Sequence, residues 1–133
     1  MNTPAQTPEN KPDAQAFKSR GGIARIARAA KYSLDGFAAA FRNEAAFRQL
    51  LLLNLVLIPI AVFLPVTRAE RVLLIVTPLL SLVVELFNSA IEATVDRISL
   101  EIHPLSKQAK DLGSAAQMLA LVITAVTWGI ILL

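Results

Sequence analysis

The sequence predicts an all-α membrane protein, with an N-terminal amphipathic surface helix followed by three transmembrane helices. Three observations carry this reading. Of 133 residues, 55% are hydrophobic and only 17% charged, which is more apolar residue than a soluble domain of this length needs. Apolar runs near or at spanning length occupy residues 50–66, 72–95 and 111–133. Charge is unevenly placed, with eight of the thirteen Lys and Arg before residue 49 and none after Lys110. The absence of cysteine excludes a disulfide framework and a thiol nucleophile. A single histidine, His103, leaves no basis for a structural zinc site.

Residues 1–21 hold three prolines and no periodic apolar pattern, so a disordered tail is expected. No apolar core follows its basic residues, as a secretory signal requires. The membrane domain is expected over 22–133. Across 22–49, Ile23, Ile26, Ala27, Ala30, Leu34, Phe37 and Phe41 recur at three- and four-residue steps. Arg25, Arg28, Lys31, Asp35 and Arg42 fill the other face, which predicts a helix lying flat at a bilayer interface. Asn54 interrupts the first run, and Pro59 and Pro65 are expected to kink or end it. Arg68 to Arg71 reads as a short turn. The second run, 72–95, has Pro78 inside it and Glu85 and Asn88 toward its far end. Residues 96–110 form a polar connection in which Pro104 breaks any continuous helix. The third run, 111–133, has no charge after Asp111, and Trp128 near its end suits an interfacial anchor.

The loops set an orientation. The basic N-terminal region, and Arg97, Lys107 and Lys110 between the second and third spans, outweigh Arg68 and Arg71 on the other side. The positive-inside rule then places the N-terminus and the 96–110 loop in the cytoplasm, with the C-terminus opposite.

Carboxylates in the second span demand an explanation. Ser81, Glu85, Asn88, Glu92 and Asp96 share one side of a helix. Glu85 lies roughly 9 Å inward of Ile91 along the axis. A carboxylate facing lipid costs about 3 kcal/mol on insertion scales, so this face must meet water, protein or a cation. Asn88 and Ser81 alone would suit hydrogen bonding between helices; two glutamates and an aspartate in register point to function. Asn43-Glu44 and Lys110-Asp111 fall at the same cytoplasmic depth, although each alone is also an ordinary helix end. Oxygen-only ligands favour Mg²⁺, which keeps waters and adds substrate phosphates. Five glycines, Gly21, Gly22, Gly36, Gly113 and Gly129, allow neither GxxxxGK[ST] nor GxGxxG. An ATP site would therefore rely on side-chain cations and carboxylate-held metal. Composition alone leaves a cation or proton pathway and a structural adaptor open beside it. Three spans exclude a soluble nucleic-acid binder.

NEAAFRQ (Asn43 to Gln49), VELFNSAIEATVDRI (Val84 to Ile98) and AKDLGSAA (Ala109 to Ala116) closely resemble the bacterial integral-membrane diacylglycerol kinase family. The resemblance covers roughly residues 22–133. It implies a homotrimer with sites shared between neighbouring chains, and MgATP-dependent phosphorylation of diacylglycerol to phosphatidic acid in the inner membrane. By the same resemblance Glu85 matches a catalytic base, and Glu44 and Glu92 the carboxylates that hold Mg²⁺ on ATP. Arg25, Tyr32, Glu101, Ile102, His103, Lys110 and Asp111 match nucleotide contacts. Asn88, Asp96 and Ser114 match other active-site or substrate-side positions. The chain departs from the family pattern in its long N-terminal tail and at Leu50, where an acidic residue is expected. A sister branch of the family phosphorylates undecaprenol, which is the alternative activity.

Overall fold

The structure is a computed structural model, and it describes residues 22–133; the expected disordered tail, 1–21, lies outside the described residues. Four helices follow one another: α1 (Gly22–Asn43), α2 (Ala45–Phe63), α3 (Arg68–Ile98) and α4 (Pro104–Leu132). The last three are each long and apolar enough to cross a membrane. The protein is thus an all-helical, multi-pass membrane protein with an additional N-terminal helix.

The chain divides into two compact units at Gly36 and Phe37. In the first, the described residues form the N-terminal part of α1. Ile23, Ile26 and Leu34 are exposed there, as are Arg25, Arg28 and Lys31, so apolar and basic side chains are both free of a core. The second unit contains the end of α1 and all three spans.

The helix expected over 22–49 is two helices. The break falls at Glu44, whose backbone is extended (φ −110°, ψ 111°). The broken end is closed by Arg48, whose Nη1 donates to the carbonyls of Phe41 at 2.9 Å and Arg42 at 3.2 Å. Those carbonyls lie in the last turn of α1 and have no helical N–H ahead of them. Phe37 and Phe47 stack obliquely across the break, 6.5 Å between ring centroids. Helix α2 therefore starts at Ala45, ahead of residue 50, and Leu50 itself is buried against the bundle.

Pro59 stands inside α2 without ending it. Pro65 does the ending: Leu64 before it is extended (φ −64°, ψ 140°), as a residue preceding proline prefers. The expected turn at Arg68–Arg71 is instead the first turn of α3. Thr67 and Glu70 form a reciprocal capping box there, Thr67 N donating to Glu70 Oε2 at 2.8 Å and Glu70 N to Thr67 Oγ1 at 3.3 Å. Arg71 reaches back to the carbonyls of Ala61 at 3.3 Å and Leu64 at 2.9 Å, closing α2 as Arg48 closes α1.

Helix α3 packs against both α2 and α4. Pro78 lies within it and is fully buried. A proline has no N–H, so the carbonyl of Leu74, four residues earlier, loses its helical partner. Trp128 of α4 supplies one, its Nε1 donating to Leu74 O at 3.1 Å. The indole thus serves the bundle interior in addition to any interfacial role. From the other side, Asn54 of α2 donates to Pro78 O at 3.0 Å and to Leu50 O at 2.9 Å. These bonds, with a Lys110–Asp96 pair at 2.6 Å near the other end of α3, make each neighbouring helix antiparallel to α3.

The polar connection 96–110 is mostly helical. Only Ser99 to His103 lies outside α3 and α4. Pro104 does stop a continuous helix, but by starting α4: it occupies the first turn, where its missing N–H costs nothing. His103 caps that turn, with Nδ1 accepting from Leu105 N at 3.2 Å. Helix α4, which carries the third apolar run, consequently begins at Pro104, ahead of residue 111.

Candidate active site

Three elements of the second unit converge on one acidic recess. Glu44 stands at the break before α2 and Ala46 in its first turn, the second half of α3 supplies Glu85, Asn88 and Glu92, and α4 supplies Ser114 and Gln117. The recess has a volume of about 320 Å³. Steps of three and four residues place the α3 members on one face. Gly113 lets α4 come close to that face: a Cβ there would collide with the Asn88 side chain.

The carboxylates are held without being neutralised. Glu44 occupies the N-cap position of α2, yet its side chain makes no capping hydrogen bond. Glu85 is only 3% exposed and forms no ion pair among the described residues. Glu92 Oε1 accepts from Asn88 Nδ2 at 3.2 Å, a bond one helical turn long that orients both side chains. Asn88 Oδ1 is left buried without a partner, and so are both amide atoms of Gln117. Buried polar atoms are almost always paired; Asn88 Oδ1 is packed against Gly113, and the two Gln117 atoms suit a polar ligand in the recess.

Of the residues assigned by resemblance, the structure brings Glu44, Glu85, Asn88, Glu92 and Ser114 to this recess. A second recess of about 230 Å³ gathers Asp96, Glu101, Ile102, His103 and Lys110 around the α3–α4 connection. Glu92 and Asp96, one turn apart on α3, join the two. Lys110 is already paired with Asp96. Asp111 lines neither recess and pairs with Lys107 at 2.5 Å, four residues back on an exposed surface. Arg25 and Tyr32 belong to the first unit, on α1.

The donor set suits a hard divalent cation. Among the described residues no group of three or more acidic or histidine side chains could hold a metal. Mg²⁺ does not require one; it is commonly held by one or two carboxylates plus waters and substrate phosphates. Glu44 and Glu92 fit that chemistry.

Sequence reasoning missed Gln117. Its signal was present: it stands three residues after Ser114 in an otherwise apolar run, and Gly113, Ala120 and Thr124, which share its side of α4, are all buried. Arg48 was also overlooked as the residue that fixes the Glu44 break.

An integral membrane protein with uncompensated carboxylates in its helix bundle is the class that fold and site define. Known proteins narrow it further. A family model for prokaryotic diacylglycerol kinase matches residues 31–132. The diacylglycerol kinase of Pseudomonas aeruginosa is 66% identical over 117 residues, covering 88% of this chain and 95% of that protein. That of Escherichia coli K12 is 50% identical over 111 residues, 84% and 91% of the two chains. That of Haemophilus influenzae is 47% identical over 111 residues. The chain belongs to the prokaryotic diacylglycerol kinase family and is a membrane lipid kinase.

Proposed function

We propose that the protein transfers the γ-phosphoryl group of MgATP to the primary hydroxyl of diacylglycerol, giving phosphatidic acid, in the bacterial inner membrane. The observation that carries this reading is the burial of Glu85 on a membrane-spanning helix, in one recess with Glu44 and Glu92. A dry carboxylate beside two others suits a site where a lipid alcohol meets a polyphosphate.

In this reading Glu85 accepts the proton of the lipid hydroxyl as the hydroxyl oxygen bonds to the γ-phosphorus. The bond from that phosphorus to the bridging oxygen breaks, and ADP leaves. Glu44 and Glu92 would hold Mg²⁺, whose chemistry there is to offset charge on the phosphate oxygens. Asn88 orients Glu92 through their hydrogen bond. Lys110 and Arg25 balance phosphate charge. Tyr32, Glu101, Ile102, His103 and Asp111 complete the nucleotide contacts, with Asp96 and Ser114 on the substrate side. Three copies of the chain share these sites as a homotrimer. The 96–110 region and the N-terminus face the cytoplasm, where ATP is supplied.

The test is direct. Purified protein is given MgATP with diacylglycerol, undecaprenol or a sphingoid alcohol in parallel micelles, and phosphate transfer to each lipid is followed. Diacylglycerol should be the preferred acceptor; preference for undecaprenol would overturn the substrate assignment, and transfer to none would overturn the activity.

A further inference from the structure

We propose that Gln117 reads the glyceryl ester of the lipid acceptor, and so selects acylglycerols over alcohols of similar length that lack a carbonyl. This rests on the lipid-kinase reading above and adds a substrate contact to it.

Position comes first. Gly113 of α4 lies against Asn88 of α3, and the two helices are antiparallel. One turn onward along α4 reaches Gln117, and one turn back along α3 reaches Glu85, so the two side chains are level. Both line the same recess. On the packing side of α4 the neighbouring positions are Gly113, Ala120 and Thr124, all small and all buried. A long amide on such a stripe is out of keeping with helix packing alone, which small residues already satisfy.

Chemistry comes second. Gln117 Nε2 and Oε1 are both buried, and neither has a hydrogen-bond partner among the described residues. Thr124 shows the contrast, since its hydroxyl is satisfied by Ala120 O at 3.0 Å within the helix. Asn54 and Asn88, amides of the first and second spans, place their Nδ2 on two carbonyls and on Glu92 Oε1 respectively. Gln117 alone of these keeps an N–H donor unspent, at the depth of Glu85 and in the recess that must admit the lipid. A diacylglycerol carries, next to its free hydroxyl, an ester carbonyl that accepts one hydrogen bond and has no donor of its own. Gln117 Nε2 complements that acceptor, whereas Glu85, an acceptor as a carboxylate, complements the hydroxyl. Together they fix two points of the glycerol unit and so its orientation. A polyisoprenol or simple long-chain alcohol offers only the hydroxyl.

The experiment compares a 1,2-diacylglycerol with the matching 1,2-dialkylglycerol, which has the same hydroxyl and chains but ether links. In the parent protein KM should be lower for the diacyl lipid by about fivefold to tenfold, the loss of one amide hydrogen bond. In Gln117→Met, which keeps length but has no N–H, that ratio should collapse to within about twofold through a rise in the diacylglycerol KM, with KM for MgATP unmoved. If the variant retains the parent's ratio, or MgATP affinity falls with it, Gln117 does not read the ester. Should Gln117→Met fail to assemble, the parent decides: equal KM values for the two lipids overturn the proposal. A parent that phosphorylates neither lipid refutes the kinase reading itself, which is a separate result.

Discussion

Asn88 Oδ1 occupies the space that a Cβ at position 113 would fill, so glycine at 113 is what lets the Asn88 side chain keep its place between α3 and α4. The contact carries functional weight because Asn88 also donates to Glu92. Gly113→Ala should push the Asn88 side chain away, break that bond and leave Glu92 free to turn. Overpacking of this kind costs about 1–3 kcal/mol of stability. The expected kinetic signature is a raised KM for MgATP, measured beside thermal unfolding. Adding Asn88→Ala to Gly113→Ala should recover stability without recovering the KM; recovery of both would detach Asn88 from the metal-side carboxylate.

Glu85→Gln keeps size and hydrogen bonding but cannot accept a proton. Turnover should fall by about 10² to 10⁴, the usual contribution of a general base. Replacing a buried carboxylate by an amide should leave assembly intact or strengthen it. MgATP binding should stay near that of the parent. Glu85→Asp should fall between the two, since phosphoryl transfer depends on placement at the ångström scale. Parent-like turnover in Glu85→Gln would remove the base from the mechanism.

Glu44→Gln and Glu92→Gln each remove an anionic oxygen while preserving shape. Each should raise the Mg²⁺ concentration needed for half-maximal activity by about tenfold or more, because the ion depends on few protein ligands. A metal titration of activity at fixed ATP measures this. Unchanged metal dependence in both variants would show that neither carboxylate holds the ion.

Trp128 and Pro78 should be energetically coupled through the carbonyl of Leu74. Trp128→Phe leaves that carbonyl without a donor and should destabilise the bundle by about 1–3 kcal/mol. Pro78→Ala restores a backbone N–H four residues after Leu74, so the same tryptophan change should then cost less. A double-mutant cycle on unfolding midpoints in detergent measures the difference. Additive effects would mean that the indole contributes only by its apolar area.

Orientation can be read with cysteines, since the chain has none of its own. A cysteine at Ser106 should label from the cytoplasmic side, and one at Thr67 from the opposite side. Reversed labelling would put both recesses on the face away from ATP.

Helix number and the carboxylate face were legible because both rest on periodicity. Glu85, Asn88 and Glu92 repeat at helical steps inside an apolar run, and any folded helix must place them together. Helix boundaries were less legible because partners distant in sequence set them. Glu44 is a break only because Arg48 closes the preceding helix. Arg71 reads as a loop charge until its bonds to Ala61 and Leu64 are seen. Gln117 has no charge and no motif; its polarity in an apolar run is a faint signal, and the unpaired amide level with Glu85 gives that signal a meaning. His103 shows a different limit, in that its capping of α4 depends on the backbone geometry of a loop.

Arg48, Arg71 and Trp128 share a direction. Each lies in a later helix than the carbonyls it satisfies: α2 closes α1, α3 closes α2, and α4 mends the gap within α3. As the chain is synthesised, every element therefore waits for its successor. The wait is most exacting for α3, because an orphan carbonyl at membrane depth costs several kcal/mol until Trp128 of α4 arrives. Until α4 docks, the middle span carries an unpaired carbonyl of its own.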